Sequence, residues 1–281
     1  MTGVQTCALP IYYGFSVQPL LNEVQIQKLI NGFKELVDMV PGGLPDVHWT
    51  SGRLESSDLR NFARQVIDNV VPEALQMYFN KDRIEFVGGV FLAKRPSPKS
   101  ELVAHQDSSH TDESKFPSVY AWIALTDTSI INGGMHVIPG SHLWGNSFRS
   151  LNVPWLYSGF EEQLNNWVEP VTVRAGEVLF FDSALIHYSS NNASNEVRPA
   201  LNYYLKPIEA PFVHYYMDGN SPVKQVEEYN VDVDFFYSHN FLQRPPCPPY
   251  KFEGAKDYCL TKPSLQQLEE LYTAFYPTKQ R

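Results

Sequence analysis

The sequence predicts a mainly β protein: an antiparallel core, built as a barrel or double-sheet jelly roll, with helices packed around it. Three observations carry this prediction. Helical periodicity dominates residues 18–80, many short strand-like runs fill residues 85–207, and no helical pattern interleaves with those runs. Strands that follow one another without intervening helices pair antiparallel, which is the arrangement found in barrels and jelly rolls.

The N-terminal part contains three segments in which apolar residues recur at helical spacing. The first helix is predicted over residues 18–40 and ends at the Pro41-Gly42-Gly43 turn. A second is predicted over residues 57–69. A third is predicted over residues 72–79, because proline suits the first turn of a helix. These helices supply the outer layer of the predicted domain.

The middle of the chain carries the strands of the predicted core. Turn sequences such as Asn132-Gly133-Gly134 and Pro139-Gly140 separate the runs. The predicted strands are residues 85–93, 102–107, 119–126, 135–138, 167–173, 178–181, 186–189 and 200–205.

The C-terminal part is rich in aromatic residues and has no clear periodicity over residues 208–249. Its runs at 212–216 and 235–237 are predicted to pack over the core as a lid. Ser264, with Gln267 three residues on, predicts the N-cap of a last helix.

One domain is predicted over residues 12–281, because 281 residues suit a single large core with helical additions. Its parts are a helical segment at 18–80, the jelly-roll core at 85–207, and the lid with the C-terminal helix at 208–281. The first 11 residues resemble the translation of a sequencing adapter, so we expect residues 1–11 to be an artefact.

Composition narrows the classes of partner. Apolar residues at 43% and charged residues at 19% indicate a packed globular protein. A net charge of -9 without a basic block argues against nucleic acid and against an anionic membrane surface. No apolar run is long enough to cross a bilayer. Few cysteines and no secretion signal favour a cytoplasmic setting. Since nucleic acid and membrane are disfavoured, a small-molecule substrate is expected. The oligomeric state stays open.

The segment His105-Gln106-Asp107 places two metal-ligand side chains two residues apart. On a strand, residues i and i+2 face the same way, so both can bind one ion. His187, in another strand-like run, is the predicted third ligand. Two histidines and one carboxylate on one face of an ion, with the opposite face open, form the site of non-haem Fe(II) oxygenases. This triad predicts a redox enzyme.

His110 is an alternative third ligand. A local site of His105, Asp107 and His110 needs a sharp turn after Asp107, which Ser108-Ser109 permits. His187 is preferred because metal ligands are best held on rigid elements, and His187 follows a buried run. The other histidines with a structural interpretation are His48, His136, His214 and His239.

Arg198 follows His187 at the start of a further strand. A turn at residues 191–195 would fold this strand back beside that of His187 and direct the guanidinium towards the metal. A buried arginine needs an anionic partner, and a bound dicarboxylate would suit its planar fork. A plain salt bridge to Asp182 or Glu196 is the alternative.

Three segments in this order resemble the phytanoyl-CoA dioxygenase family of Fe(II)- and 2-oxoglutarate-dependent oxygenases. They are His105-Gln-Asp107, the Asn132–His142 segment that contains Pro-Gly-Ser-His, and the Gly176–Ser189 segment followed by Arg198. The resemblance covers about residues 85–207. It implies a double-stranded β-helix, cupin-like, with helices outside it, and Fe(II) held by His105, Asp107 and His187.

The resemblance also implies a site for 2-oxoglutarate, which with O2 would be the cosubstrate. Arg198 and Ser189 would bind its distal carboxylate, and Trp122 would line its pocket. Asn202 shares the face of Arg198 by strand alternation and is a further candidate contact. The strand before His105 lacks the amide side chain often found in this family, and Lys94 is the nearest polar candidate there.

The implied activity is hydroxylation of a C–H bond of a small metabolite, with release of succinate and CO2. The acidic net charge disfavours a very anionic substrate such as an acyl-CoA, so an amino acid, an amine or a natural-product intermediate is expected. Two alternatives stay open: a non-catalytic jelly-roll metal-binding protein, and a cupin-type metal isomerase, which would not consume 2-oxoglutarate.

Overall fold

The computed structural model describes residues 12–145, 148–221, 224–258 and 261–275, so the predicted artefact at 1–11 lies outside the described residues. The strands are β1 (Phe15–Pro19), β2 (His48–Thr50), β3 (Ile84–Lys94), β4 (Leu102–His105), β5 (Val119–Ala124), β6 (Met135–Val137), β7 (Glu169–Pro170), β8 (Glu177–Asp182), β9 (His187–Ser189), β10 (Arg198–Pro207), β11 (Phe212–Tyr216), β12 (Gln225–Val231) and β13 (Lys251–Asp257). The helices are α1 (Glu23–Met39), α2 (Ser57–Asp68), α3 (Val71–Leu75), α4 (Glu161–Trp167), α5 (Phe235–Ser238) and α6 (Leu265–Phe275).

Two antiparallel sheets form a jelly-roll core, which confirms the predicted fold class. The larger sheet has the strand order β1-β8-β5-β10-β3-β2, and the smaller has the order β4-β9-β6-β7. Strands that are adjacent in a sheet are mostly distant in sequence, as is usual for Greek-key connections. None of the helices among the described residues is long and apolar enough to cross a membrane.

Alternation along the strands of the six-stranded sheet divides the apolar residues between two layers. Phe91, Ile123 and Leu201 point outwards and pack in one cluster with helix residues such as Leu29 and Ile67. Residues of the opposite face pack in a second cluster with side chains of the four-stranded sheet, namely Trp122, Leu179 and Phe181 with Met135 and Val137. The inner layer therefore joins the two sheets, and the outer layer joins α1–α3 to the core.

The helix predicted over residues 18–40 begins later, at Glu23. The Asn22 side chain accepts a hydrogen bond from the backbone N–H of Gln25, whose side chain accepts one from the N–H of Asn22, and this capping box fixes the start. Residues 18 and 19 belong to β1, which pairs with β8. The prediction was wrong there, because the alternation of β1 is too short to stand out beside the helical pattern.

Two further predictions of secondary structure were wrong. The strand predicted over 167–173 is reduced to the two-residue β7, because α4 extends to Trp167 and residues 171–173 form no strand. The aromatic-rich segment is not irregular, because β11, β12 and β13 form a separate three-stranded antiparallel sheet. The predicted cap of the last helix is confirmed: Ser264 and Gln267 exchange backbone-to-side-chain hydrogen bonds of 2.8 and 3.2 Å.

Candidate functional site

The structure brings His105, Asp107 and His187 together beside the paired strands β4 and β9. Their ligand atoms all lie within 4.8 Å of one another. His105 and His187 are register partners on the neighbouring strands β4 and β9, with ring centroids 4.2 Å apart. His187 Nε2 lies 3.9 Å from Asp107 Oδ2. The three side chains therefore present one nitrogen–nitrogen–oxygen face that could hold a metal ion.

Both imidazoles of this triad are oriented by the backbone. Nδ1 of His105 lies 2.8 Å from the carbonyl oxygen of Val103, and Nδ1 of His187 lies 3.0 Å from that of Leu185. Because a carbonyl only accepts, each Nδ1 must carry the proton, and each Nε2 keeps its lone pair for a metal. Burial, followed by the nearby His187, lowers the pKa of His105 to about 4, so the ring is neutral at ordinary pH.

Asp107 does not lie on a strand as predicted, because β4 ends at His105. Its backbone is held by Arg149 instead, whose Nε donates to the Asp107 carbonyl oxygen over 2.8 Å. Arg149 is itself buried, and its Nη2 lies 2.7 Å from Glu113 Oε1. The Arg149–Glu113 ion pair therefore positions Asp107, which was expected to be positioned by the geometry of a strand.

Removing Arg149 should reveal how strongly this pair supports the fold. In Arg149→Met the largely buried Glu113 carboxylate loses its cationic partner and keeps the Ser183 hydroxyl as a neutral donor, so we expect the free energy of unfolding to fall by about 3–5 kcal/mol. Urea denaturation of Arg149→Met and of Arg149→Met/Glu113→Gln checks this. The second substitution should recover much of the loss; a double variant no better than the single one would contradict the explanation.

His110 stands apart from the triad. Among the described residues, the group that could hold a metal consists of His105, Asp107 and His187 only. The His110 ring instead packs edge to face against Phe236 and Tyr204, at centroid distances of 4.4 and 5.2 Å. The local site that used His110 as third ligand is therefore not formed in this structure.

A cavity of about 430 Å³ adjoins the triad and collects every other predicted site residue. Its walls come from both sheets. The site residues among its lining are Arg198, Ser189, Trp122 and Asn202, together with the three triad residues. Trp122 and Asn202 are register partners on β5 and β10.

Arg198 is buried in this cavity without a carboxylate partner. It is 6% exposed, and its Nε and Nη1 have no hydrogen-bond partner among the described residues. The guanidinium carbon lies 5.0 Å from the centroid of the Trp122 ring. Burial lowers the pKa of Arg198 to about 10, so it still carries its charge at ordinary pH. A buried, charged and unpaired guanidinium is the arrangement that a bound anion would complete.

The path of β10 differs from the prediction. Arg198 is the register partner of Lys94 on β3, and β10 pairs with β3 and β5 rather than with β9. Placing this strand beside that of His187 was therefore wrong. Arg198 reaches the cavity from the six-stranded sheet, while His187 reaches it from the four-stranded sheet.

Lys94, a weak candidate on the sequence pattern alone, holds Ser189 at the wall of the cavity. It is 2% exposed, and its Nζ donates to the Ser189 hydroxyl, to the Ser189 carbonyl over 3.2 Å and to the Ser190 carbonyl over 2.6 Å. Ser189 in turn donates to the Gly133 carbonyl over 2.9 Å. Gly133 has a φ of 78°, and a Cβ there would lie 2.3 Å from Lys94 Cδ, so only glycine leaves room for the lysine stem.

The lowered pKa of Lys94 leads to a prediction about how folding stability depends on pH. Burial, followed by the nearby Arg198 charge, lowers its pKa from 10.5 to about 7. Between pH 7 and about 10 the unfolded chain binds a proton that the folded protein does not, so stability should rise with pH. We expect the wild type to gain stability relative to Lys94→Met over this range, as measured by urea denaturation of metal-free protein. The exposed Lys34→Met serves as control. If the stability difference between wild type and variant were independent of pH for both substitutions, the assignment would be refuted.

Comparisons with known proteins find a matching family model and relatives in sequence. The model of the phytanoyl-CoA dioxygenase (PhyH) family matches residues 19–200, which is more than half of the chain. Phytanoyl-CoA dioxygenase domain-containing protein 1 of Rattus norvegicus is 30% identical over 127 residues, covering 42% of this chain and 44% of that protein. The phytanoyl-CoA dioxygenase of Arabidopsis thaliana is 28% identical over 120 residues, covering 41% and 42%. These matches span less than half the length of the relatives.

Solved structures share the fold at low identity. The non-heme alpha-ketoglutarate-dependent carbocyclase SnoK from nogalamycin biosynthesis is 20% identical, with a TM-score of 0.53 over 75% of this chain and 86% of that chain. HygX from Streptomyces hygroscopicus, solved with nickel and 2-oxoglutarate, is 19% identical, with a TM-score of 0.52 over 74% and 88%. At such identity the likeness concerns the fold alone.

Proposed function

Because the chain belongs to the phytanoyl-CoA dioxygenase family, we propose that it is a non-haem iron and 2-oxoglutarate-dependent oxygenase that hydroxylates a C–H bond of a small metabolite. The observation that carries the proposal is the unpaired, buried Arg198 in the same cavity as the His105–Asp107–His187 face. A metal site alone fits many chemistries. A metal site with a buried cation beside it fits an anionic cosubstrate that binds the metal at one end and the cation at the other.

The residues present fit Fe(II). Two neutral imidazoles and one carboxylate on one side of an ion are the donor set of this class of iron site. The carbonyl partners of both Nδ1 atoms preset the ligand tautomers. We therefore propose that Nε2 of His105, Nε2 of His187 and a carboxylate oxygen of Asp107 hold the metal.

The residues also fit a dicarboxylate. Arg198 would bind the distal carboxylate through its guanidinium, whose Nε and Nη1 have no hydrogen-bond partner among the described residues. Ser189 would take part through its hydroxyl, which Lys94 and Gly133 hold in place. Trp122 places its ring within cation–π distance of the guanidinium, and Asn202 contributes a buried Oδ1 without a partner among the described residues.

When bound, iron, 2-oxoglutarate and O2 would convert a substrate C–H bond to C–OH, with succinate and CO2 as the other products. The chain's own residues would position and shield this reaction. The triad would hold the metal, and Arg198 would hold the far end of the cosubstrate. Apolar wall residues such as Phe181 and Met135 would keep water from the cavity. Hydroxylation remains part of the proposal, because a shared fold does not determine the reaction.

An assay with labelled dioxygen tests the proposal and separates it from its rivals. Purified protein with Fe(II), 2-oxoglutarate and 18O2 is incubated with a panel of small metabolites, and succinate and product masses are measured. We expect substrate-stimulated succinate and one labelled oxygen atom in the product. Succinate with an unlabelled product would favour cyclisation or desaturation. Product without succinate would indicate an isomerase, and a non-catalytic metal-binding protein would yield neither.

A further inference from the structure

A second cavity of about 260 Å³ lies beside the metal cavity. The two share Thr50, Arg53 and Asn202 in their walls, so they are neighbouring chambers of one site. The volume is at the small end for ligand pockets, which suits a ring or a short branched chain rather than a large molecule.

The walls of the second cavity are mostly apolar, and 7 of the 16 lining residues come from outside the family match, which ends at residue 200. Two of the seven, Asn202 and Tyr204, lie in β10. The other five lie in β11, in α5 or in the segments next to α5: Phe212, Val233, Phe236, Tyr237 and Phe241. This part of the chain therefore supplies a contact surface that the family resemblance does not account for.

The charges around the two cavities are unbalanced. Among the described lining residues, Asp107 is the only carboxylate, and it belongs to the proposed metal face. The basic side chains are those of Arg53, Lys94 and Arg198. Arg198 is assigned to the cosubstrate and Lys94 is bonded to Ser189, but Arg53 is exposed at the shared wall and makes no ion pair within the part of the chain that the structure describes. The substrate end of the site thus offers a free positive charge.

An ammonium group would find a poor place in this cavity. No carboxylate of the described residues lines it. Aromatic rings can also hold cations, but two of the rings already do: Lys206 Nζ lies 4.4 Å from the Phe212 centroid, and Arg64 lies 5.7 Å from that of Tyr237. Lys206 and Arg64 are paired with Glu85 and Asp68, so the charge that a further cation would meet unbalanced is that of Arg53.

We infer that the substrate is a small carboxylic acid with an uncharged apolar or aromatic body. The body occupies the second cavity, and the carboxylate binds Arg53 at the wall that the two cavities share. This inference rests on the proposed function, and it favours acids over amines as the expected substrates. The overall acidic charge of the chain does not oppose it, because the charge of the cavity lining has the opposite sign.

Binding of three matched probes tests the inference without turnover. Phenylpropionate, phenylpropanol and phenylpropylamine share one body and differ only in the charge of the end group. Their affinities are measured by calorimetry on protein loaded with nickel and 2-oxoglutarate. Because a charge-assisted pair adds to the neutral contact, we expect the acid to bind about tenfold more tightly than the alcohol, with the amine weakest.

Substitutions assign the preference to the residues. Arg53→Met should weaken acid binding about tenfold and leave alcohol binding within about twofold, whereas the exposed Arg174→Met should change neither. Val90→Phe, which fills the second cavity, should remove binding of all three probes while 2-oxoglutarate still binds. Tightest binding of the amine, absence of binding by every probe, or an unchanged acid preference in Arg53→Met would overturn the inference.

The same samples separate this inference from the proposed function. Loss of the acid preference with normal 2-oxoglutarate binding would sink only the substrate class. Failure of 2-oxoglutarate to bind, with the acid preference intact, would sink only the proposed cosubstrate.

Discussion

Replacing Asp107 with alanine is expected to reduce metal affinity more than about 100-fold and to bring succinate formation below detection. Asp107 supplies the one anionic ligand of the proposed metal face, and its loss leaves two neutral imidazoles. Since substitutions of mere supporting groups at metal sites cost 10–100-fold, loss of a direct ligand should cost at least as much. Equilibrium metal binding and coupled succinate assays measure the two effects. Asp112→Ala, a nearby carboxylate outside the triad, should preserve both.

Histidine variants decide which residue is the third ligand. His187→Ala should lose metal binding as Asp107→Ala does, while His110→Ala should retain it. The reverse result would mean that the loop after Asp107 closes on the ion, and the proposed ligand set would be wrong. Metal binding is the readout here, because His110 also lines the second cavity and its loss would affect substrate binding.

Replacing Arg198 with methionine is expected to raise the KM for 2-oxoglutarate by about 100-fold or more, with metal affinity changed less than about twofold. Truncating one partner of a buried charge pair costs about 2–5 kcal/mol or more, which corresponds to this range. Arg198 is aimed into the cavity but is not among the residues whose ligand atoms cluster. Steady-state kinetics at varied 2-oxoglutarate and calorimetric metal titration measure the two quantities.

The shape of the guanidinium supplies the control for this second prediction. Arg198→Lys keeps the charge but loses the planar fork, so its KM should fall between those of wild type and Arg198→Met. If Arg198→Lys behaved as wild type, the charge alone would matter. If Arg198→Met raised the KM and lowered metal affinity in parallel, Arg198 would support the fold of the site and would not bind the cosubstrate.

The sequence predicted the parts of the site that local spacing encodes. His105 and Asp107 are close in sequence, and the segments around His187 and Arg198 carry recognisable patterns, so all four could be named. Their arrangement could not, because it depends on long-range pairing. The sheet to which β10 belongs is decided by β3 and β5, which lie about 80–110 residues away.

Lys94 and the second cavity show a different limit. A lysine at the end of an apolar strand usually indicates a solvent-exposed end, and only the turn at Gly133 reveals that the stem is covered. The lid residues are aromatic, and aromatic residues pack into a core or line a pocket with the same sequence pattern. Their role emerged only when β11 and α5 were placed next to β3 and β10.

The division of the cavity walls between the two sheets has a mechanical consequence. The triad belongs to the four-stranded side, whereas Arg198, Trp122 and Asn202 belong to the six-stranded side. A small molecule held at both ends would link the four-stranded sheet to the six-stranded sheet of the jelly roll. At about 100 times its Kd, such a ligand would add about 2.7 kcal/mol to the free energy of unfolding. Cosubstrate supply would then govern the lifetime of the folded protein as well as its turnover, so starvation for the cosubstrate would lower enzyme abundance and enzyme rate together.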